Sequence, residues 1–499
     1  MGFYVNVDRY GKNILLRHIN DDGTDFETRV EYCPTIFVNS PDSGSIWSTI
    51  DNIPVKPMTV GNMKDTSNWI KENKHVGGMK IYGNERFLYQ YISDTYPEEE
   101  IEYDASKIRT AYIDIETSCE NGFPDVDNPV ESILLITMMY AGKYYTWGCG
   151  EFDNTEVDHD VEYVDCVCEE DIIRSFLAKW KEISPHVVTG WNVRFFDIPY
   201  LYNRTKALFN ERESKKLSPW GIVHSEEVNI FNQKRSTYRI IGVTILDYLD
   251  LYRKFKSNSE ESYKLDYIAH SELGMKKLDY SEYENMHLFY KNDWQKFVHY
   301  NIVDVEIIEQ LEKKLRLIEL AFTICYNAKV TFDDVFSPVR IWDTIIYNHL
   351  RRKNFVIPIS EVSVKSESYA GGYVMDPKVG WSNWILSFDL NSLYPNLIAQ
   401  YNISPDTLLG TNDSFCEVCP TGEDGIECLL HRRYDTSDFD GYTMTPNGVC
   451  FSNTKQGFLG KLMMDMYNDR KKYKKKMLEY EQKVEDIKKE MERRGLKVT

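Results

Sequence analysis

Ser387-Phe388-Asp389-Leu390-Asn391-Ser392-Leu393-Tyr394-Pro395-Asn396 is the stretch from which the rest of the chain is read. The apolar run Trp384, Ile385 and Leu386 is expected to form a strand that delivers one carboxylate, Asp389, to its end, and the Leu-Tyr-Pro turn leads into a new element. A strand end of this kind suits a metal ligand. Alone, Asp389 is half a site: two-metal phosphoryl transfer needs at least two carboxylates clamping ions about 3.5–4 Å apart, and no second acidic motif on a strand end follows it.

The chain then runs into a long basic helix that stops at Thr499. Met466, Tyr473, Tyr480 and Ile487 recur every seven residues, and Met463, Met477, Val484 and Met491 fill the alternate seam, the a/d pattern of a coiled coil. Such a seam calls for a partner helix. Arg470 stands on it where an apolar residue is expected, followed by Lys471, Lys472, Lys474, Lys475 and Lys476. A lysine run is usually a solvated face; a guanidinium on the seam itself is better explained by an anionic ligand such as a triphosphate.

A chain of 499 residues suggests about three domains, and 42% hydrophobic residues can build their cores. The ten cysteines are mostly isolated (Cys33, Cys119, Cys149, Cys325) and form no disulfide framework, which points to a reducing cytosol. The start alternates like a strand and not like a signal peptide, and the apolar stretch from Ile133 to Tyr140 is too short to span a bilayer, so a soluble protein is expected. The formal charge of −19 argues against wholesale wrapping of nucleic acid, but it is unevenly spread: residues 453–499 carry 14 Lys/Arg and 8 Asp/Glu. Local basic surfaces and metal-holding carboxylates are compatible with an acidic total.

Residues 1 to about 107 read as short strands with turn signals, and as a domain without catalytic residues. In Thr110-Ala111-Tyr112-Ile113-Asp114-Ile115-Glu116-Thr117, period-two geometry puts Ile113 and Ile115 on one face and both carboxylates on the other. A wet edge strand is the plain alternative. In His186 to Leu201 a strand ends at Gly190, Asn192 can cap the turn, and Asp197 opens a helix just before Pro199; capping alone explains an Asp there. Tyr300 and Asp304 lie at i, i+4 in a helical stretch from Trp294 toward Leu315, a spacing an ordinary helix also tolerates.

Taken together, DIE (Asp114, Ile115, Glu116), NxxxFD (Asn192 to Asp197) and YxxxD (Tyr300 to Asp304) resemble, in order, the three exonuclease motifs of the proofreading domains of family B DNA polymerases. DLNSLYPN resembles motif A of the same family, most closely in T-even-like bacteriophages, so the likeness covers nearly the whole chain. It implies an α/β and α+β multidomain protein: an N-terminal mixed domain (1–107), an RNase H-like, DnaQ-like 3′→5′ exonuclease domain (108–316), a return segment of the N-terminal domain (317–360), a partial palm (361–456) with a Cys-rich insertion (411–440), and the first fingers helix (457–499). It also implies two Mg²⁺ or Mn²⁺ ions per active site.

In the exonuclease, the resemblance makes Asp114, Glu116, Asp197 and Asp304 the metal ligands, and Tyr300 the group that orients the attacking water. Phe123, before Pro124, is a candidate to stack on a frayed terminal base, with a loop anchor as the alternative. A hairpin is expected between Asn229 and Asp247, with Gln233-Lys234-Arg235-Ser236 at its turn, and by resemblance it helps part primer from template. Ile245 to Tyr252 has the pattern of plain helical core. Tyr369-Ala370-Gly371-Gly372 resembles the YxGG motif, whose Tyr369, Gly371 and Gly372 approach DNA; a generic turn reads the same.

In the polymerase, the resemblance implies that Asp389 and the Leu390 carbonyl hold metal, the Ser392 and Leu393 amides meet the triphosphate, and the Tyr394 ring excludes a ribose 2′-OH. Asn396 departs from the usual Ser. Arg470 and Lys474 fit the triphosphate-binding helix of the fingers. Motif B, motif C and the thumb do not follow. The expectation is therefore the N-terminal subunit of a split replicative DNA-directed DNA polymerase with proofreading, completed by a second chain, in the cytoplasm of an infected bacterial host. Its partners would be primer–template DNA, dNTPs, a sliding clamp and a single-strand-binding protein. The alternatives are a stand-alone 3′→5′ exonuclease with a remnant palm and a truncated single-chain polymerase. Separately, Cys416, Cys419, Cys428 and His431 form CxxC…CxxH, adequate ligands for a structural Zn²⁺, with a reduced Cys-rich loop as the alternative.

Overall fold

The computed structural model describes residues 2–41, 44–157, 159–230, 233–256, 259–279, 281–359, 374–411, 441–445 and 448–495. They fall into two units, Met1–Trp47 with Pro54–Ser360, and Ser48–Ile53 with Glu361–Thr499. Among the described residues no helix is long and apolar enough to cross a membrane. The predicted Tyr369, Gly371 and Gly372, and the four zinc ligands Cys416, Cys419, Cys428 and His431, lie outside the described residues.

The first unit opens with an antiparallel meander of β1 (Phe3–Tyr10), β2 (Asn13–Ile19) and β3 (Asp25–Glu31). Next come β4 (Thr35–Asn39), β5 (Trp47–Thr49), β6 (Pro54–Thr59), α1 (Met63–Asn73), β7 (Ile81–Tyr82) and α2 (Phe87–Thr95), with β6 and β7 both pairing antiparallel to β4. Helix α1 begins where Asn62 and Asp65 cap each other's backbone, a reciprocal pairing that satisfies amides the helix leaves open.

The alternation at 110–117 becomes β8 (Thr110–Thr117), with Ala111, Ile113, Ile115 and Thr117 buried and Asp114 and Glu116 on the opposite face. Strands β9 (Ile133–Tyr140), β10 (Lys143–Gly148) and β11 (Val161–Asp165) extend the sheet on one side, and β12 (Val187–Thr189) and β15 (Thr244–Ile245) on the other, in the order β11-β10-β9-β8-β12-β15. β9 runs antiparallel to β8 and β10, while β10–β11, β8–β12 and β12–β15 are parallel. Helix α3 (Glu169–Ile183) has Glu169, Glu170 and Asp171 in its first turn, complementing the helix dipole, and buries Ile172, Phe176 and Trp180. With α4 (Asp197–Leu208) it packs on the Ile113/Ile115 face. Between α4 and β15 lie α5 (Glu211–Ser214) and a hairpin of β13 (Val223–Ile230) and β14 (Gln233–Ile240). After β15 come α6 (Tyr248–Phe255), α7 (Leu265–Leu273), α8 (Met286–Asn292) and α9 (Trp294–Leu315), of which α8 and α9 pack among Leu135, Met139 and Tyr144 of β9 and β10.

The hairpin differs from expectation in its register. Ile230 pairs with Gln233 and Val223 with Ile240, so Gln233 to Ser236 lie in β14 and not in the turn. The Gln-Lys-Arg-Ser composition reads as polar turn, but an exposed two-stranded ribbon accepts the same residues because its outer faces remain in water.

After α9 the chain forms α10 (Leu317–Ala328), α11 (Pro338–Arg352) and β16 (Phe355–Val356), which contact the N-terminal strands. Tyr326 donates to the Tyr4 carbonyl at 2.6 Å, Tyr4 to the Val330 carbonyl at 2.7 Å, and the Gly83 amide to the Ile357 carbonyl at 2.8 Å. A second tie is electrostatic. Arg17, on β2 and fully buried, donates to the carbonyls of Pro185 and Gly242 at 2.7 Å each and of Ser184 at 3.0 Å, and pairs with Asp25 and Glu27. Asp25 also receives Arg109 and the Nε2 of His186. The Arg109 amide donates to His186 Nδ1 at 3.0 Å, which places the imidazole proton on Nε2.

The second unit holds α12 (Leu393–Gln400), a sheet in the order β17-β19-β18 made of β17 (Leu408–Thr411), β18 (Tyr442–Met444) and β19 (Val449–Ser452), and the 36-residue α13 (Phe458–Arg493). Asn402 locks the entry to α13, donating to the Ser452 and Lys455 carbonyls and accepting from the Gly457 amide at 2.8 Å. The strand expected at Trp384 to Leu386 is not formed. Those residues, with Phe388 and Leu390, are 71–99% exposed, and no described residue pairs with them. A strand needs a neighbour for its N–H and C=O groups, and apolar content cannot replace one. The heptad seam of α13 does form on one helix, with Met466, Tyr473, Met477, Tyr480, Val484 and Ile487 exposed.

Two outcomes follow for the Arg17 junction. Asp25→Ala should destabilise the first unit by about 3 kcal/mol in urea unfolding, the lower end for stripping a partner from a buried charge, because Glu27 remains. Burial lowers the His186 pKa to about 4. The unfolded state therefore takes up a proton first, and stability should fall as pH drops from about 6.5 toward 4, a slope that His186→Gln should reduce.

Candidate active site

Strand β8 is the base of the site because its alternation holds Asp114 and Glu116 on one side with a rigid apolar face behind them. Asp304 arrives from α9, where Tyr300 precedes it by one turn. One ligand atom from each of Asp114, Glu116 and Asp304 lies within 4.8 Å of the others, and among the described residues no other acidic, His or Cys group of three converges in this way. Asp197 joins from the first residue of α4. It does not cap its own helix, whose N-terminus lacks any side-chain cap; its Oδ1 accepts the Ile115 amide of β8 at 3.1 Å.

The loop that presents Asp197 is held by groups with no catalytic signature in the sequence. A Cβ on Gly190 would stand 2.5 Å from the Ile113 carbonyl, so only glycine lets β12 end this close to β8. Asn192 takes φ 67°, in the left-handed region that Asn tolerates. Asp247, buried at the start of α6, accepts the amides of Asn192, Arg194 and Leu249 at 3.0–3.1 Å. The Ile245 to Tyr252 stretch therefore positions the second motif as well as filling the core.

Crowding sets the electrostatics. Burial, followed by the charges of Asp197, Asp304 and Glu116, pushes Asp114 well above the ordinary carboxyl range. Burial and the Asp304 charge push Glu116 up to about 8, and burial pushes Asp197 up to about 7 despite the Ile115 amide. Asp304 is raised by burial against the opposing pull of Lys277. The Lys277 Nζ lies 2.5 Å from Asp304 Oδ2 and 3.2 Å from the Tyr300 hydroxyl, and although burial opposes its charge, Asp304 holds it protonated. Asp304 Oδ1 is buried with no hydrogen-bond partner, and so is Asn301 Oδ1. An orphaned carboxylate oxygen among converging acids fits a hard divalent cation, which takes oxygen ligands and favours the ionised forms.

Lys277 and Asn301 were not anticipated. Lys277 lies beyond α7 in a loop of unremarkable composition, its amide fixed by Asp266 Oδ1 at 3.1 Å, and no sequence spacing links it to the acids. Asn301 donates to Asp114 Oδ2 at 2.7 Å; its position three residues before Asp304, on the same helix face, was the available signal. Phe123 is 88% exposed, and its ring lies 6.0 Å from that of Phe196, which stacks on Tyr200. A short aromatic step thus leads from the loop to the residue before Asp197.

In the second unit Asp389 sits before α12 without a strand beneath it. Ser392 takes φ 52° as the N-cap of α12, leaving the first amides of the helix without a side-chain cap. The Arg470 guanidinium of α13 donates to Ser392 Oγ at 3.3 Å, so two of the anticipated triphosphate ligands meet. Tyr394 is 74% exposed, and Lys474 is exposed too. The Asn396 side chain donates back to the Asn391 and Ser392 carbonyls, bracing the turn from within.

In EDTA at alkaline pH, Lys277→Met should unfold several degrees below the unaltered chain, because the crowded carboxylates lose a buried counter-charge. Millimolar Mg²⁺ should close most of that gap in a thermal melt.

Residues 60–268 match the family described as DNA polymerase family B, exonuclease domain, and residues 339–499 match DNA polymerase family B. The DNA-directed DNA polymerase of Escherichia phage RB69 is 33% identical over 99% of this chain and 56% of its own length, and that of Enterobacteria phage T4 is 33% identical over 98% and 55%. The DNA polymerase catalytic subunit of Saimiriine herpesvirus 2 is 24% identical over 74% of the chain and 36% of its own length. The chain thus spans just over half the length of its phage relatives. Asp114, Glu116 and Asp197 lie within the first matched segment, Asp304 between the two, and the Asp389 turn within the second: the chain belongs to DNA polymerase family B.

Proposed function

We propose that the first unit is a 3′→5′ exonuclease of RNase H-like fold that removes nucleotides from a DNA primer end, and that the second unit contributes the Asp389 half of a DNA polymerase site. The observation that carries the first reading is the convergence of Asp114, Glu116 and Asp304 with Asp197 alongside and an unpartnered Asp304 oxygen between them. Two Mg²⁺ or Mn²⁺ ions held there would supply an ionised water near neutral pH and neutralise charge on the leaving 3′ oxygen. Phe123 stacks on the frayed terminal base. The Tyr300 hydroxyl, held 3.2 Å from Lys277, orients the attacking water. The Lys277 ammonium lies where phosphate charge builds up.

In the second unit Asp389 and the Leu390 carbonyl would hold metal, the Ser392 and Leu393 amides with Arg470 and Lys474 take the triphosphate, and the Tyr394 ring bars a ribose 2′-OH. The rest of the polymerase site comes from polypeptide outside these 499 residues. The exposed seam of α13 and the unpaired apolar run at Trp384 to Leu390 support this, since so much contiguous apolar surface calls for cover. A sliding clamp and a single-strand-binding protein act through the completed complex, in the cytoplasm of an infected bacterium. Zn²⁺ on Cys416, Cys419, Cys428 and His431 remains part of the proposal.

The test uses a labelled primer–template with Mg²⁺, the chain alone and with the polypeptide homologous to the second half of the phage polymerases. Shortening by the chain alone, and extension only with both polypeptides and dNTPs, is expected. Asp114→Ala should cut shortening by more than about 100-fold, since even residues behind a metal ligand cost roughly 10–100-fold, and should leave extension intact. Asp389→Ala should do the reverse. Loss of both activities in either variant would refute separate sites, and shortening without extension by the paired polypeptides would leave a stand-alone exonuclease.

A further inference from the structure

Phe123 stands exposed in the loop between β8 and β9. The leading half of that loop folds around one side chain, Glu131, which is 4% exposed. One of its carboxylate oxygens accepts the Ser118 hydroxyl and the Glu120 amide, the latter at 3.1 Å; the other accepts the Asn121 backbone amide at 2.8 Å and the Asn121 side-chain amide at 2.9 Å. These four donors are hydroxyl and amide groups, none of them cationic. Led by the Ser118 hydroxyl, they hold the Glu131 carboxyl down to about 2, so it is ionised at any working pH. The same residue is tied to the neighbouring aromatic rings. Its carbonyl accepts the Tyr200 hydroxyl at 2.7 Å, the Tyr200 ring stacks on Phe196 with centroids 5.7 Å apart, and Phe196 lies 6.0 Å from Phe123. Tyr200 is fully buried on α4, the helix that Asp197 opens. The trailing half of the loop is held separately, by Asn203 on the Val126 carbonyl at 2.8 Å and Arg204 on the Pro129 carbonyl at 2.9 Å.

We infer, on the reading that Phe123 stacks on a frayed terminal base, that Glu131 is a positioning residue for capture of that base. Its carboxylate sets the loop so that the Phe123 ring is presented beside the Asp197 motif. An exposed aromatic side chain on a slack loop has many orientations, and a stacked contact forms only once that freedom is lost. A loop held by four hydrogen bonds has lost it before nucleic acid arrives, and such pre-organisation raises affinity. A buried ionised carboxylate is a costly loop anchor, because an apolar side chain of similar volume fills the same space without desolvating a charge. An apolar anchor lacks direction. The four bonds to Glu131 specify the path of residues 118–121, and with it the approach to Gly122, at φ 113°, and to Phe123.

The probe is a short oligothymidylate labelled with fluorescein at its 5′ end, titrated with the full chain in EDTA and read by anisotropy, so that binding is seen without cleavage. Phe123→Ala should weaken binding by about tenfold, the order of one lost base–aromatic stack. Glu131→Ala should weaken it to a similar degree, and the double variant should bind no worse than either single one, because both remove the same contact. With Mg²⁺ present, the loss in Glu131→Ala should appear as a raised KM for single-stranded DNA, with kcat within about twofold of the unaltered chain. Asn121→Asp sets a second carboxylate against that of Glu131 at an exposed position and should weaken binding in the same direction, which serves where Glu131→Ala does not fold. Unchanged affinity in Glu131→Ala, or in Asn121→Asp where Glu131→Ala does not fold, would overturn the inference and leave stacking by Phe123 standing. So would losses that add in the double variant, or a fall in kcat at unchanged KM, since Glu131 would then act on something other than Phe123. Binding indifferent to Phe123→Ala would overturn the stacking reading and the inference with it.

Discussion

Like charges held close together in little water are the constraint on which the first unit is built. Asp114, Glu116, Asp197 and Asp304 would each prefer to be neutral or apart, and an unfolded chain keeps them apart at no cost. Folding forces them together because each is carried by an element whose other face is buried: Asp114 and Glu116 by the apolar underside of β8, Asp197 by α4, and Asp304 by α9. The hydrophobic packing behind the carboxylates is what offsets the repulsion between them. Lys277 supplies part of the counter-charge, and the unpartnered Asp304 oxygen marks where more is wanted.

Around this centre several contacts fix the aim of the acids. Asp247 gathers three amides to fix the loop into α4, Gly190 permits the close approach of β12 to β8, and Asn301 holds the outer oxygen of Asp114. Arg17 reaches from the N-terminal meander to the carbonyls just before β12 and β15, so the meander braces the sheet that carries the acids. The N-terminal strands thereby affect the site without touching it. The second unit is organised differently. Its ordered contacts concentrate where α12, β19 and α13 meet around Asn402, while the turn bearing Asp389 and the seam of α13 face outward.

Local periodicity made much of the first site legible. Two carboxylates two residues apart in a strand must share a face, and Tyr300 and Asp304 four apart in a helix must share another, so those geometries needed no tertiary information. The ambiguous residues were those whose side chains have two uses. An Asp at a helix start reads as a cap, and only the fold shows Asp197 turned across to the Ile115 amide. Lys277 left no trace because a loop residue carries no period. The hairpin was legible as a hairpin but its register was not, since Gln, Lys, Arg and Ser suit an exposed strand as well as a turn. The apolar run at Trp384 to Leu386 misled for a related reason: hydrophobicity states that a segment favours burial or pairing, not which segment it pairs with.

By itself, then, the order of residues determined the family, the faces of β8 and α9, and the identity of the acids, because these depend on spacings of a few positions and on a motif order that survives divergence. Tertiary structure alone decided which way Asp197 points and that a lysine and an asparagine share the acids' pocket. Each of those depends on where distant segments meet in space, and that is set by the summed packing of the core, which no local pattern encodes.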